Sequence, residues 1–286
     1  MGLALIASAV EGVGSWLSGS LALLSDAGHV GTDAIALGLS LWAVRVSGRP
    51  HTPRMSFGYH RTEVLAALTN GILLVVLAAF LAWRAYGRYV VSEPVQGGVM
   101  LLVGAAGLAA NLAMLLLLRG WSKRNINIRG AFLHAYGDTL GSVGVVTAAV
   151  LIQMTTLYVL DVFVALFIVA LILLSAGRLL REGARILLEA SPAGLRPEEI
   201  AQAIAAIPGI RGVHDLHVWT LTSGLHALTG HVIVAGDTTV QEASRLVDTI
   251  QSRLREGFGI DHATLQVDSL EDEMIRPSDV APRRLP

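Results

Sequence analysis

The chain has 286 residues, of which 53% are hydrophobic and only 15% charged, with a formal net charge of −1. That is too apolar for an ordinary water-soluble domain of this length, so the surplus must face lipid. The near-zero charge, with no basic stripe of interleaved aromatics, argues against nucleic acid as a partner. The absence of cysteine leaves only His, Asp and Glu as metal ligands and excludes a disulfide framework.

Nearly all the long apolar runs lie in residues 1–188, whereas the chain from about 191 onward reads as a normal polar globular sequence. Two domains are therefore expected: a membrane domain over 1–190 and a small soluble domain over 191–270, followed by a mobile polar tail, 271–286. Spanning hydrocarbon takes about 20 helical residues, and six stretches qualify, at 3–20, 26–46, 62–86, 96–118, 131–153 and 157–177. The first contains Glu11 and several glycines and has no basic leader, which fits a retained helix better than a cleaved signal peptide. Asp26, near the outer end of the second span, reads as an N-cap and not as a ligand.

An even number of spans puts both termini on one side. Arg49, Arg54 and Arg61 follow the second span; Arg119, Lys123, Arg124 and Arg129 follow the fourth; Arg178, Arg181 and Arg185 end the sixth. The opposite turns near Ser18 and Thr155 carry no Lys or Arg, and only Arg84 and Arg88 dilute the bias. The positive-inside rule then puts both termini and the soluble domain in the cytoplasm.

Beyond Pro192 a helix is expected over 196–207, stopped by Pro208-Gly209. Strand patterns follow at 212–221 and 226–234 across a Thr222-Ser223-Gly224 turn, then an amphipathic helix at 239–255 and a strand at 263–267. The order αββαβ predicts a small α+β sandwich with its helices on one face of a sheet.

Ionisable residues inside membrane helices are costly enough to mark function by default. The second span carries His29 and Asp33, and the fifth carries His134 and Asp138. Each pair is spaced by four residues, which puts both side chains on one helix face. If the two faces meet, they supply two imidazole nitrogens and two carboxylates, a complete tetrahedral set for a divalent transition metal such as zinc. Two carboxylates also neutralise the divalent charge in a low-dielectric setting, and protons are the natural replacement for a departing ion. The mixed donor set favours zinc, cobalt or cadmium over magnesium or calcium. The alternative is a satisfied interhelical polar contact, and a matched second pair in another span weighs against it.

These residues and their small neighbours, together with Ser18-Gly19-Ser20-Leu21-Ala22-Leu23-Leu24-Ser25, Ser56-Phe57-Gly58-Tyr59-His60-Arg61 and His214-Asp215-Leu216-His217-Val218-Trp219, closely resemble the cation diffusion facilitator family over nearly the whole chain. The resemblance implies a homodimer of six-helix protomers, each with a cytoplasmic metallochaperone-like domain. It further implies export of zinc from the cytosol by alternating access coupled to protons. The family's transport ligands fall on His29, Asp33, His134 and Asp138. Histidine at position 29 resembles the zinc-preferring branch, including the bacterial cobalt-zinc-cadmium resistance members.

In the soluble domain the family's ligands map onto His214, His231 and Asp268, with Gln266 where some members have histidine. Strand alternation adds His262 to that face. The implied role of a metal there is to stabilise the dimer or to sense cytosolic metal. Resemblance also pairs Arg61 with Glu189 as a charge interlock. The sequence departs from the pattern at Met55 and Tyr59, where some members bind an extra metal, and His51 and His60 nearby read as solvated loop residues. It also lacks the His-rich insert of many eukaryotic members after the fourth span, and with the first span starting almost at Met1 the usual cytoplasmic leader is expected to be missing.

The expected protein is thus a membrane transporter and not an enzyme: no His-Glu-x-x-His occurs, and four protein ligands leave no place for a catalytic water. A metal sensor or a purely structural metal protein is the alternative. Short bacterial-type loops and no legible organelle signal point to a cell inner membrane, with an intracellular organelle as the alternative.

Overall fold

The computed structural model describes residues 2–120 and 126–269. Six helices come first: α1 (Gly2–Ser18), α2 (Leu21–Ser47), α3 (Thr62–Val90), α4 (Gly97–Arg119), α5 (Ile126–Thr155) and α6 (Val159–Leu187). Then follow α7 (Pro197–Ala205), β1 (Gly212–Thr222), β2 (Leu225–Val234), α8 (Val240–Phe258) and β3 (Ile260–Ser269). Packing divides the chain into two compact units, Met1–Val46 with Leu65–Arg181, and Ser47–Val64 with Glu182–Pro286. The α2–α3 connection therefore groups with the second unit. The expected tail, 271–286, and the basic residues Lys123 and Arg124 lie outside the described residues.

In the first unit, α2 to α6 are long and apolar enough to cross a membrane. The 17 residues of α1 sit at the short end of the spanning range. Trp83, Leu102, Leu117 and Met154 are each at least 70% exposed, a surface that water would penalise and lipid accepts. Between the helices, Leu23, Leu81, Met100, Val145 and Ile172 form a closed apolar core. Small residues set the helix spacing: a Cβ at Gly71 would lie 2.7 Å from Leu180 Cδ2, and one at Gly104 2.8 Å from Val145 Cγ1. Such contacts let α3 approach α6, and α4 approach α5, closely enough to exclude lipid.

The α1–α2 turn depends on Gly19, whose φ of +68° is left-handed. Ser20 then caps α2, its Oγ accepting from Leu23 N at 3.1 Å. The helix consequently starts at Leu21, five residues before the predicted span, and Asp26 lies inside it and is not the N-cap. At the other extreme, α6 runs to Leu187, past the predicted 177, because Arg178, Arg181 and Arg185 are good helix formers that end a span without ending a helix.

The second unit matches the predicted αββαβ order. Pro197 at the first position and Glu198 and Glu199 in the first turn start α7. β1 and β2 form an antiparallel hairpin, and β3 joins β2 in parallel, giving the sheet order β1-β2-β3. Parallel pairing requires a crossover, which α8 supplies, with a Thr239–Glu242 capping box at its start and left-handed Gly259 at its end. Ile200, Ile204, Leu228, Val232, Ile250, Leu254 and Ile260 fill the space between the helices and the sheet.

Candidate metal centres

The local sequence of α2 and α5 delivers donors without competing for them. Thr32 and Thr139, each beside the predicted ligands, return their hydroxyls to the backbone of their own helices, at Gly28 O (2.8 Å) and Ala135 O (2.7 Å). The ligand face is left to His29 and Asp33 on α2 and to His134 and Asp138 on α5, and the structure brings all four together with one donor atom from each within 4.8 Å of the others.

Both histidines present Nε2. His29 Nε2 lies 3.8 Å from Asp33 Oδ2 and 3.3 Å from Asp138 Oδ1; His134 Nε2 lies 3.0 Å from Asp33 Oδ2 and 3.7 Å from Asp138 Oδ2. A tetrahedron with metal–ligand bonds of about 2.0–2.1 Å has edges of about 3.3–3.4 Å, so these distances straddle the value a bound zinc requires. The imidazoles meet edge to face with centroids 5.7 Å apart, which keeps both nitrogens aimed at one point. A cavity of about 150 Å³ opens beside the cluster, bounded by Gly137 and Gly141 on α5 and by Ile168, Ser175 and Arg178 on α6.

Three buried polar groups of the helical unit escaped the sequence reading as functional residues. Asp26 accepts from Ser142 Oγ at 3.3 Å, and Ser142 in turn accepts from Asn111 Nδ2 at 2.9 Å, so α2, α5 and α4 share a polar link one helical turn from the four donors. Glu11 on α1 is 4% exposed, with Oε2 lacking a hydrogen-bond partner and Oε1 against Gly107. Asp161 on α6 is wholly buried. The signal that could have found Glu11 and Asp161 is the one that singled out the four candidate donors, a charged residue inside an apolar run.

In the second unit the hairpin register sets His214 directly opposite His231, with ring centroids 4.9 Å apart. Asp268 comes from β3, where Ile233 is its register partner. Its Oδ2 lies 2.7 Å from His231 Nδ1 and 3.5 Å from His214 Nε2, which is otherwise buried without a hydrogen bond. Partial burial works to raise the Asp268 carboxyl, but hydrogen bonds from Gln266 and His231 outweigh it and hold the group below its usual range. The three donors converge within 4.8 Å.

A bulge in β1 between His214 and His217 gives Asp215 a φ of +49°. Its carboxylate lies 3.0 Å from His217 Nε2 and 3.9 Å from His231 Nε2, a neighbour that simple strand alternation does not reveal.

His262 does not join this cluster. It lies six residues from Asp268 on the same strand, about 20 Å away at the rise of a β-strand, and packs edge to face on Phe57 at 5.4 Å. Alternation identified its face correctly, but a shared face is not a shared position. His51 and His60 line a cavity with His262, and among the described residues these histidines form no convergent donor group. Arg61 Nη2 meets Glu189 Oε1 at 2.8 Å, the pair expected from the sequence, with both side chains about half exposed.

Two family models match the chain, one after the other. The family described as the cation efflux transmembrane domain matches residues 1–188, and that described as the cation efflux protein cytoplasmic domain matches residues 192–270. The chain is 42% identical over 261 residues to the zinc transporter ZitB of Escherichia coli (strain K12), covering 91% of this chain and 82% of that protein. It is 36% identical over 262 residues to the cadmium, cobalt and zinc/H(+)-K(+) antiporter of Bacillus subtilis (strain 168), covering 91% and 84%. Among solved structures, the metal-bound C-terminal domain of the CzcD transporter from Cuprividus metallidurans aligns at 36% identity and a TM-score of 0.24, over 26% of this chain and 99% of that one. The chain is a membrane protein belonging to the cation efflux family.

Proposed function

We propose that this protein is a secondary active transporter, not an enzyme, that exports Zn²⁺, and with it Cd²⁺ and Co²⁺, from the cytosol in exchange for protons. The observation that carries this reading is the convergence of His29, Asp33, His134 and Asp138 from two membrane helices. The names of the zinc and cadmium-cobalt-zinc relatives support the same cargo.

The metal is the substrate. His29 and His134 supply nitrogen donors that favour zinc-like ions over magnesium and calcium, while Asp33 and Asp138 cancel the divalent charge. On release the two carboxylates are left close together without a cation, and protons restore neutrality, which couples the two flows. Alternating access then follows from helix movement around a fixed site.

The Arg-rich connections support an inner-membrane protein with both termini and the second unit in the cytoplasm, and the match to a dimer-type cytoplasmic domain supports a homodimer. His214, His231 and Asp268 form a regulatory metal site in that unit, without His262.

Zinc uptake into sealed proteoliposomes, followed together with internal pH, tests the reading. Zinc accumulation driven by an imposed pH gradient, with protons moving the opposite way, is the expected result. Tight zinc binding without flux would make the protein a sensor or a structural metal protein.

A further inference from the structure

The end of the helical unit that carries the α1–α2, α3–α4 and α5–α6 turns is gathered on one side chain. Asp161, in the first turn of α6, is wholly buried. Its Oδ1 accepts from Ser20 Oγ at 2.5 Å and from Ala22 N at 3.1 Å, and its Oδ2 accepts from Leu21 N at 2.6 Å. Leu21 and Ala22 are the first residues of α2, whose N–H groups have no partner inside their own helix. Ser20 caps the next free donor, Leu23 N. Asp161 therefore completes the cap of α2 from a different helix, at the positive end of the helix dipole. Arg88, from the last turn of α3, lies 3.5 Å from Asp161 Oδ2 and 3.5 Å from Glu93. One carboxylate thus ties together α2, α3 and α6.

The metal-binding reading does not use Asp161. His29 lies eight residues along α2 from Leu21, about 12 Å, so Asp161 touches no donor. Yet it fixes the end of the helix that carries two of the four donors. The cavity beside those donors runs along α6 from Ile168 to Arg178, away from Asp161. The free space is at the far end of the helices, and the hydrogen-bonded seal is at this one.

We infer that Asp161 is a positioning residue for transport, the pivot that holds the start of α2 against α6 throughout the cycle while the rest of α2 moves. A pivot is favoured over a gate because separating the two helices here would leave a carboxylate and its donors unpaired in a low-dielectric interior, an arrangement that is strongly disfavoured. Any opening at this end of the bundle then runs elsewhere than between α2 and α6. The inference rests on the transport reading, and its central test does not require flux.

Amide hydrogen exchange over residues 20–24 is measured on the full chain in proteoliposomes, with chelator, with zinc, and with zinc under a pH gradient of either sign. Slow exchange in every condition is the expected result. Faster exchange at these amides in the zinc-loaded or gradient-driven state would make the contact a gate and overturn the pivot.

Asp161→Asn supplies the second readout. Turnover should fall about tenfold or more, with the zinc KM and the equilibrium zinc affinity unchanged, as expected when a ligand site persists but its movement is no longer guided. Loss of affinity in parallel with turnover would reduce Asp161 to a structural cap, and unchanged turnover would remove it from the mechanism. Ser20→Ala, which deletes one of the three bonds, should give a smaller loss of the same pattern and keeps the test readable if the Asp161 variant does not fold. Failure of the intact protein to move zinc refutes transport, whereas fast exchange in a protein that does move zinc refutes only the pivot.

Discussion

The two histidine-aspartate clusters are built from the same side chains on different backbones, one on helices and one on strands, and the contrast teaches what each backbone lets its cluster do. In the first unit, four donors come as two i, i+4 pairs on separate helices, so displacing one helix changes the site as a whole. In the second, three donors come from adjacent strands locked by ladder hydrogen bonds, so the site cannot open without breaking the sheet. The first set has two carboxylates and cancels a divalent charge. The second has one, plus a more distant Asp215, and leaves a coordination position for water or a further ligand. A helical site suits a cargo that must leave, and a sheet site suits an ion that stays.

The largest expected effect is at the helical carboxylates. Asp33→Ala or Asp138→Ala should lower zinc flux in proteoliposomes by about a hundredfold or more, since each removes a ligand and leaves the metal charge uncompensated. His29→Asp should move selectivity rather than abolish flux, shifting the manganese-to-zinc rate ratio by about tenfold, because a set of one nitrogen and three carboxylates favours harder ions more than the two-nitrogen set does. Competition transport with both metals reads that ratio, and an unchanged ratio would break the donor-type argument.

A smaller effect belongs to the sheet site. His231→Ala should remove metal binding to the second unit, read as loss of one bound zinc per chain in equilibrium titration, while flux falls only a few-fold. Equal loss of flux at the two sites would erase the contrast between them. Arg61→Ala removes a pair whose side chains are 42% and 58% exposed, so thermal unfolding should shift by no more than a few tenths of a kcal/mol. The smallest effect is expected at His262→Ala, which should leave zinc affinity of the second unit unchanged within about twofold, in keeping with its roughly 20 Å separation from Asp268.

The meeting of His29, Asp33, His134 and Asp138 was legible because a charged residue inside an apolar run has few structural explanations, and because i, i+4 spacing translates directly into a shared helix face. The αββαβ order was legible from alternation and from Pro-Gly and Ser-Gly stops. What was not legible has a common cause: periodicity gives the face of a side chain but not its position in three dimensions. His262 shares the face of Asp268 and sits at the other end of β3. Asp215 escapes alternation because the β1 bulge inserts a residue. Asp26 looked like a cap because the apolar run weakens there, whereas the cap is Ser20 and the helix begins earlier. The tie from Asp161 to the start of α2 joins residues about 140 apart in sequence, and no local pattern predicts such a pairing.

The most direct test of the central claim is zinc X-ray absorption on the full chain carrying His214→Ala and His231→Ala, which leaves the membrane site as the tight site. Four nitrogen or oxygen ligands at about 2.0 Å, with outer-shell scattering from two imidazoles, is the predicted result. A single imidazole, or a longer six-coordinate shell, would contradict a tetrahedral site made by His29, Asp33, His134 and Asp138.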